Sequence, residues 1–143
     1  MKEFIRIIFP VSLDSVRVAD DIFEVLANNA TRDKQLRYNI RTVLSEVFSN
    51  AFLYGDKNNC DVEIEVRTCF TENGFMASII NDGAGFADNK IKWDEFPATE
   101  QESGRGLKLI KRLCDRVEFK RADNNKFEVQ VEFNTNITRQ QIK

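Results

Sequence analysis

Seven apolar residues, Leu36, Ile40, Val43, Leu44, Val47, Phe48 and Ala51, recur at helical spacing. They form a wide stripe along one side of a helix that Thr31 is placed to cap and Gly55 to close. A stripe that broad needs a second layer over it, and the rest of the chain supplies one. Phe4 to Phe9 is a short apolar run ended by Pro10, a buried strand. Val16, Ala19, Ile22, Phe23 and Leu26 return at helical spacing, with Ser12, Asp14 or Ser15 as cap and Asn28-Asn29 as the end. Val62, Ile64 and Val66 then alternate with Glu63, Glu65 and Arg67, and Asn73-Gly74 turns the chain into a second strand from Phe75 to Ile80. Residues 87 to 103 contain Pro97 and keep no period, so they read as a long loop. Leu107, Ile110, Leu113 and Cys114 mark a third helix starting at Gly104. Val117-Phe119 and Phe127-Val129-Val131-Phe133 form a last hairpin around Asp123-Asn124-Asn125.

The order is therefore β-α-α-β-β-loop-α-β-β. The expected class is α+β, a two-layer sandwich in which a mostly antiparallel sheet is covered on one face by helices. At 143 residues the chain is long enough for one core and too short for two. The expected division is a single domain over 1–134 and a polar, frayed tail over 135–143. With 21 basic and 23 acidic residues the formal charge is −2. No global field recruits nucleic acid or an anionic membrane, and neither is expected as a direct partner. The longest apolar run is too short to cross a bilayer, and the start of the chain lacks a signal-peptide profile, so a soluble cytoplasmic location is expected. Cys60, Cys69 and Cys114 are odd in number and lack C-x-x-C spacing, which points to buried thiols rather than a disulfide framework or zinc site. The chain has no histidine, which removes every mechanism that needs an imidazole from this polypeptide.

Three islands carry the chemistry. Glu46 and Asn50 lie one turn apart on a helix face at the edge of the apolar stripe. There a carboxylate can activate a water or hydroxyl and a carboxamide can hold Mg²⁺. Asn81-Asp82-Gly83-Ala84-Gly85-Phe86 and Gly104-Arg105-Gly106-Leu107 can bring backbone amides against adenine and phosphates. Taken singly, each has a plainer use as a solvated helix edge, a tight turn and a hinge.

In combination the islands resemble the GHKL ATPases of the Bergerat ATP-binding fold, and within them the bacterial anti-sigma-factor serine/threonine kinases. Leu44 to Ala51 is similar to the family's N-box, Asn81 to Phe86 to its first glycine box, and Gly104 to Glu118 to its second. The likeness covers roughly residues 4 to 133. It implies ATP and Mg²⁺ as ligands, with Asn50 giving a side-chain oxygen to the metal and Glu46 orienting or deprotonating the attacking hydroxyl. Asp82 would accept from the exocyclic amine of adenine, while Gly83, Gly85 and Phe86 shape the base and ribose pocket. Gly104, Arg105, Gly106 and Leu107 would hold the phosphates, under a lid formed by Ala87 to Ser103. Tyr54 stands where these kinases often place a histidine and is closer to the histidine-kinase box, as a residue stacking on or bonding to the nucleotide. Asn125-Lys126-Phe127 stands where the family commonly carries a Gly-Thr pair at the adenine pocket.

The resemblance implies a protein kinase that moves the γ-phosphoryl group of Mg-ATP to a serine or threonine of an anti-anti-sigma antagonist, leaving ADP. It brings a sigma factor and a homodimer as further partners, on the helix face of Arg17 and Asp20. The alternative is a nucleotide-gated module that sequesters a partner with little or no transfer. A histidine-kinase domain would lack its own acceptor histidine, and gyrase-type ATPases need further domains.

Overall fold

The computed structural model describes residues 3–54, 63–81, 102–121 and 126–136, with side chains for all of them except 3–4, 53–54 and 102–107. Along these residues run β1 (Glu3–Pro10), α1 (Leu13–Ala30), α2 (Lys34–Tyr54), β2 (Glu63–Phe70), β3 (Gly74–Asn81), α3 (Glu102–Leu113), β4 (Arg116–Arg121) and β5 (Phe127–Asn134). The strands form one antiparallel sheet in the order β1-β2-β3-β5-β4. This is the α+β sandwich expected from the hydrophobic periods.

Strand alternation builds the core. Ile64 and Val66 of β2, Phe75, Ala77 and Ile79 of β3, and Phe127, Val129, Val131 and Phe133 of β5 turn the same way and are buried with the α2 stripe. Ile40, Val43 and Leu44 of that stripe have no exposed surface. α1 packs against α2 and brings Ala19 and Phe23 into the same core, the Phe23 ring lying against Phe48 of the stripe. Pro10 is the last residue of β1 rather than a stop before its end, and pairs with Glu63. β1 is an edge strand, where a residue without an N–H is tolerated.

Ser12 caps α1, its hydroxyl accepting from the Ser15 N–H at 3.2 Å. Thr31 does not cap α2 but ends α1, its N–H donating to the Ala27 carbonyl at 3.3 Å. The α2 cap is Asp33, whose carboxylate accepts from the Leu36 N–H at 2.9 Å. Asp33 immediately precedes the first helical residue, where a side chain reaches the third amide of the helix, and Thr31 comes two residues too early for that. Its hydroxyl instead accepts from the Asp33 N–H at 3.1 Å. α3 starts at Glu102, so Glu102 and Ser103 belong to the helix and not to the loop.

The start of the polar tail is fastened. The Thr135 N–H donates to the Asn73 carbonyl at 2.9 Å, Asn136 bonds the Asn73 side chain, and Thr135 is only 4% exposed. The turn that receives it needs Gly74. A Cβ there would stand 2.9 Å from the Phe133 carbonyl oxygen, a backbone atom held in the β3–β5 ladder. Gly74→Ala is expected to destabilise the domain by about 1–3 kcal/mol, read as a lowered midpoint in urea at unchanged slope.

On the sheet face away from the helices, Glu65 is 9% exposed between two arginines. Arg6 Nε donates to it at 2.7 Å and Arg67 Nε at 2.5 Å. Burial works to raise its pKa, but the hydrogen bonds and charges of Arg67 and Arg6 outweigh that and hold the carboxyl below its ordinary 4.5. A carboxylate with a lowered folded-state pKa stabilises the fold fully above its unfolded value and loses that contribution as pH falls through the folded one. Below pH 4.5 the melting temperature of the native protein should therefore fall more steeply than that of Glu65→Gln. The difference should amount to about 1 kcal/mol, because both arginines are roughly half in solvent.

Candidate functional site

The registers set two ends to the sheet. Phe9, Ile64, Asn81, Phe127 and Arg121 are successive partners in a row across one end. Phe70, Phe75 and Phe133 mark the other end, beside the β2–β3 turn. α2 runs from one to the other: residues around its start share a cavity with Thr71 and Glu72 of that turn, while Phe48 meets the Phe9 ring at 5.2 Å, edge to face. Glu46 and Asn50 flank Phe48 in the chain and so belong to the Asn81 end. α3 finishes near the turn, since Asp115 just after it donates its N–H to the Glu132 carbonyl at 2.9 Å. Its glycine-bearing start lies about 16 Å back along the helix axis, and α3 packs against α2.

Asn50 is the notable side chain of this end. It is 8% exposed and its carboxamide has no hydrogen-bond partner among the described residues. Buried amides are almost always bonded to protein or to an ordered water or ion, so this one calls for a partner that the described residues do not supply. Glu46, one turn earlier, is half-buried and does have an interaction partner. Among the described residues no three His, Cys, Asp or Glu gather into a metal cage. A single carboxamide oxygen fits a cation that takes oxygen ligands and is otherwise held by water and phosphate oxygens, as Mg²⁺ is.

Of the other residues in the sequence reading, Asp82, Gly83, Gly85, Phe86, the lid segment up to 101, Gly55, Cys60 and the turn at 122–125 lie outside the described residues. Tyr54 is the last residue of α2. Gly104 and Arg105 fall in the first turn of α3 and Gly106 and Leu107 in its second, so the glycines lie within the helix rather than before it. Cys69 is buried as expected, while Cys114 is only half-buried; it donates to the Ile110 carbonyl at 3.0 Å, and partial burial pushes its thiol pKa up to about 11.

Asn81 received no role in the sequence reading. It is 5% exposed and continues the inward series Phe75, Ala77, Ile79. The signal was available: counting the strand in twos from Phe75 puts position 81 on the apolar face, where a carboxamide is out of place unless it has a task. Its amide can donate and accept at once.

A single antiparallel sheet in the order β1-β2-β3-β5-β4, covered by helices, is the architecture of a GHKL-type ATPase domain. The chain belongs to the histidine kinase-like ATPase domain family, whose model matches residues 9–133. The anti-sigma F factor of Bacillus velezensis is 27% identical over 81 residues, which make up 54% of this chain and 56% of that protein. The chain thus spans about half the length of the curated relative it matches. Among solved structures, the fold is similar to the RsbU and RsbW domains of Rv1364c from Mycobacterium tuberculosis, at a TM-score of 0.65 and 12% identity over 93% of this chain and 32% of that one. It is also similar to the SiaB-SiaC complex from Pseudomonas aeruginosa, with a TM-score of 0.59, 12% identity, and coverage of 90% and 88%. The catalytic domain of histidine kinase ThkA gives a TM-score of 0.56 at 17% identity, with coverage of 93% and 97%. At these identities the structural likeness establishes the fold. No helix among the described residues is long and apolar enough to cross a membrane.

Replacing an unpaired buried carboxamide by an apolar group of similar size removes a desolvation cost. Asn50→Leu is therefore expected to leave the ligand-free protein as stable as before or about 1 kcal/mol more so, while abolishing the rise in melting temperature on adding Mg-ATP. Differential scanning calorimetry with and without nucleotide reads both effects.

Proposed function

We propose that this domain is an ATP-dependent anti-sigma regulator that phosphorylates a serine or threonine of an anti-anti-sigma antagonist, with a sigma factor as the regulated partner. The observation that supports the nucleotide part is the buried Asn50 carboxamide, without a hydrogen-bond partner among the described residues, at the sheet end where Asn81 closes β3. Family membership supports ATP as the ligand, and the likeness to an anti-sigma F factor supports the regulatory setting.

Asn50 offers its side-chain oxygen to Mg²⁺, which when bound neutralises charge on the phosphate oxygens. Asp82 accepts from the exocyclic amine of adenine, and the inward Asn81 adds a carboxamide beside it. Gly83, Gly85 and Phe86 leave room for base and ribose. The first turns of α3, from Gly104 to Leu107, present amides and the positive end of the helix dipole to the phosphates, and Arg105 adds a fixed charge. Glu46 orients the acceptor hydroxyl and takes its proton as the oxygen–phosphorus bond forms. The bond from the γ-phosphorus to the bridging oxygen breaks, and ADP leaves. An ordinary carboxylate is a weak base, so most of the rate comes from alignment and charge.

Incubation with γ-labelled ATP, Mg²⁺ and candidate antagonist proteins, followed by phosphoamino-acid analysis, tests the reading. Phosphoserine or phosphothreonine should form and fall at least a hundredfold in Glu46→Gln, with ATP affinity kept. Asp82→Asn should lose ATP binding while keeping the fold. Tight ATP binding with no transfer to any partner would replace the kinase by a nucleotide-gated sequestering module; unchanged ATP affinity in Asp82→Asn would remove the base assignment.

A further inference from the structure

At the end of α2 away from Asn50, a half-enclosed cavity of about 480 Å³ lies between the α1–α2 connection and the β2–β3 turn. Asn28, Thr31, Arg32, Arg37, Glu72 and Thr135 are in its wall. Arg32 is exposed and has no partner among the described residues. Arg37 spends its Nε on the Thr31 carbonyl at 2.6 Å and has no carboxylate partner among the described residues. Glu72 pairs with neither arginine, and the Asp33 carboxylate is taken up in capping α2. Two guanidinium groups thus border the space without an ion pair among the described residues, against one carboxylate, Glu72, in its wall, beside the start of α2.

Thr135 supplies an independent observation. It is 4% exposed, its N–H is satisfied by the Asn73 carbonyl, and its hydroxyl has no partner among the described residues. A buried hydroxyl facing no partner costs free energy, and this one stands in the wall of a polar cavity large enough for a small molecule.

We infer that this cavity is a second ligand site, which binds an oxyanion group, phosphate or carboxylate, between Arg32 and Arg37 with the Thr135 hydroxyl donating to it. Guanidinium forks match the paired oxygens of both groups. The site is separate from the nucleotide end: Arg37 and Asn50 are 13 residues apart on α2, about 20 Å along its axis. It stands or falls without reference to the proposed kinase activity.

Titration of the whole chain with inorganic phosphate and, separately, with succinate, followed by backbone amide and arginine Nε–H NMR signals, tests this. Saturable shifts are expected at Arg37 Nε–H and the Thr135 amide, and the tighter of the two anions identifies the group. Arg32→Gln alters an exposed, unpartnered side chain and so leaves the fold intact; it should weaken binding about tenfold. Thr135→Val keeps the side-chain volume while removing the hydroxyl, and should weaken binding severalfold with the amide spectrum otherwise preserved. Absence of saturable shifts at Arg37 and Thr135 with either anion overturns the inference. Undiminished binding in Arg32→Gln does so too, as do shifts confined to Asn50 and the start of α3, which would place the anion in the nucleotide site.

Discussion

Phe48 sits where the layers of this domain meet. Its ring contacts Phe9 of the edge strand at 5.2 Å and Phe23 of α1 at 5.8 Å, both edge to face, and it is 1% exposed. Removing a buried ring of this kind typically costs about 3–5 kcal/mol, a large share of a small domain's stability. Its position matters as much as its energy. By pinning the last turns of α2 over the row Phe9, Ile64, Asn81, Phe127, it decides that Glu46 and Asn50 belong to that end of the sheet and not to the end at the β2–β3 turn. The polar chemistry of α2 is carried by the packing of its apolar side.

The same helix gives the molecule two chemically different ends. At one, carboxamides are buried at the close of β3 and on the late turns of α2. At the other, arginines surround the helix start and the chain after β5 is tied to the Asn73 turn. A rigid helix of 21 residues joins them. The outer sheet face adds a third environment, in which the hydrogen bonds and charges of Arg67 and Arg6 hold the Glu65 carboxyl below its ordinary range against the effect of burial.

The core was legible in the sequence wherever a period ran long enough. The alternation of β5, the inward pair Ile64 and Val66 of β2 and the stripe of α2 appear in the structure as expected, with Val62 outside the described residues, because a one-residue slip in a strand would turn its whole apolar set outward. The ends of elements were less legible. Thr31 and Asp33 are both capping residue types two positions apart, and composition does not say which one the helix selects. Two glycines suggested that α3 opens at Gly104, yet each glycine within a helix costs only about 1 kcal/mol, and α3 begins at Glu102 with Ile110 and Leu113 packed into the core. The candidate site is legible as three islands, and within the second the side chain of Asp82 is more obviously chemical than that of Asn81 beside it in sequence.

Local pattern by itself determined the order of the elements, the apolar side of each and the residue types available for nucleotide chemistry, since all of these follow from periods of two and 3.6 residues and from side-chain identity. Only the tertiary structure decided that Asn50 is buried without a hydrogen-bond partner among the described residues, that Asn81 and the late turns of α2 share one end of the sheet, and that Thr135 closes against the turn at Asn73. Burial and partnership depend on what the rest of the chain brings alongside a residue, and no local stretch of sequence contains that information.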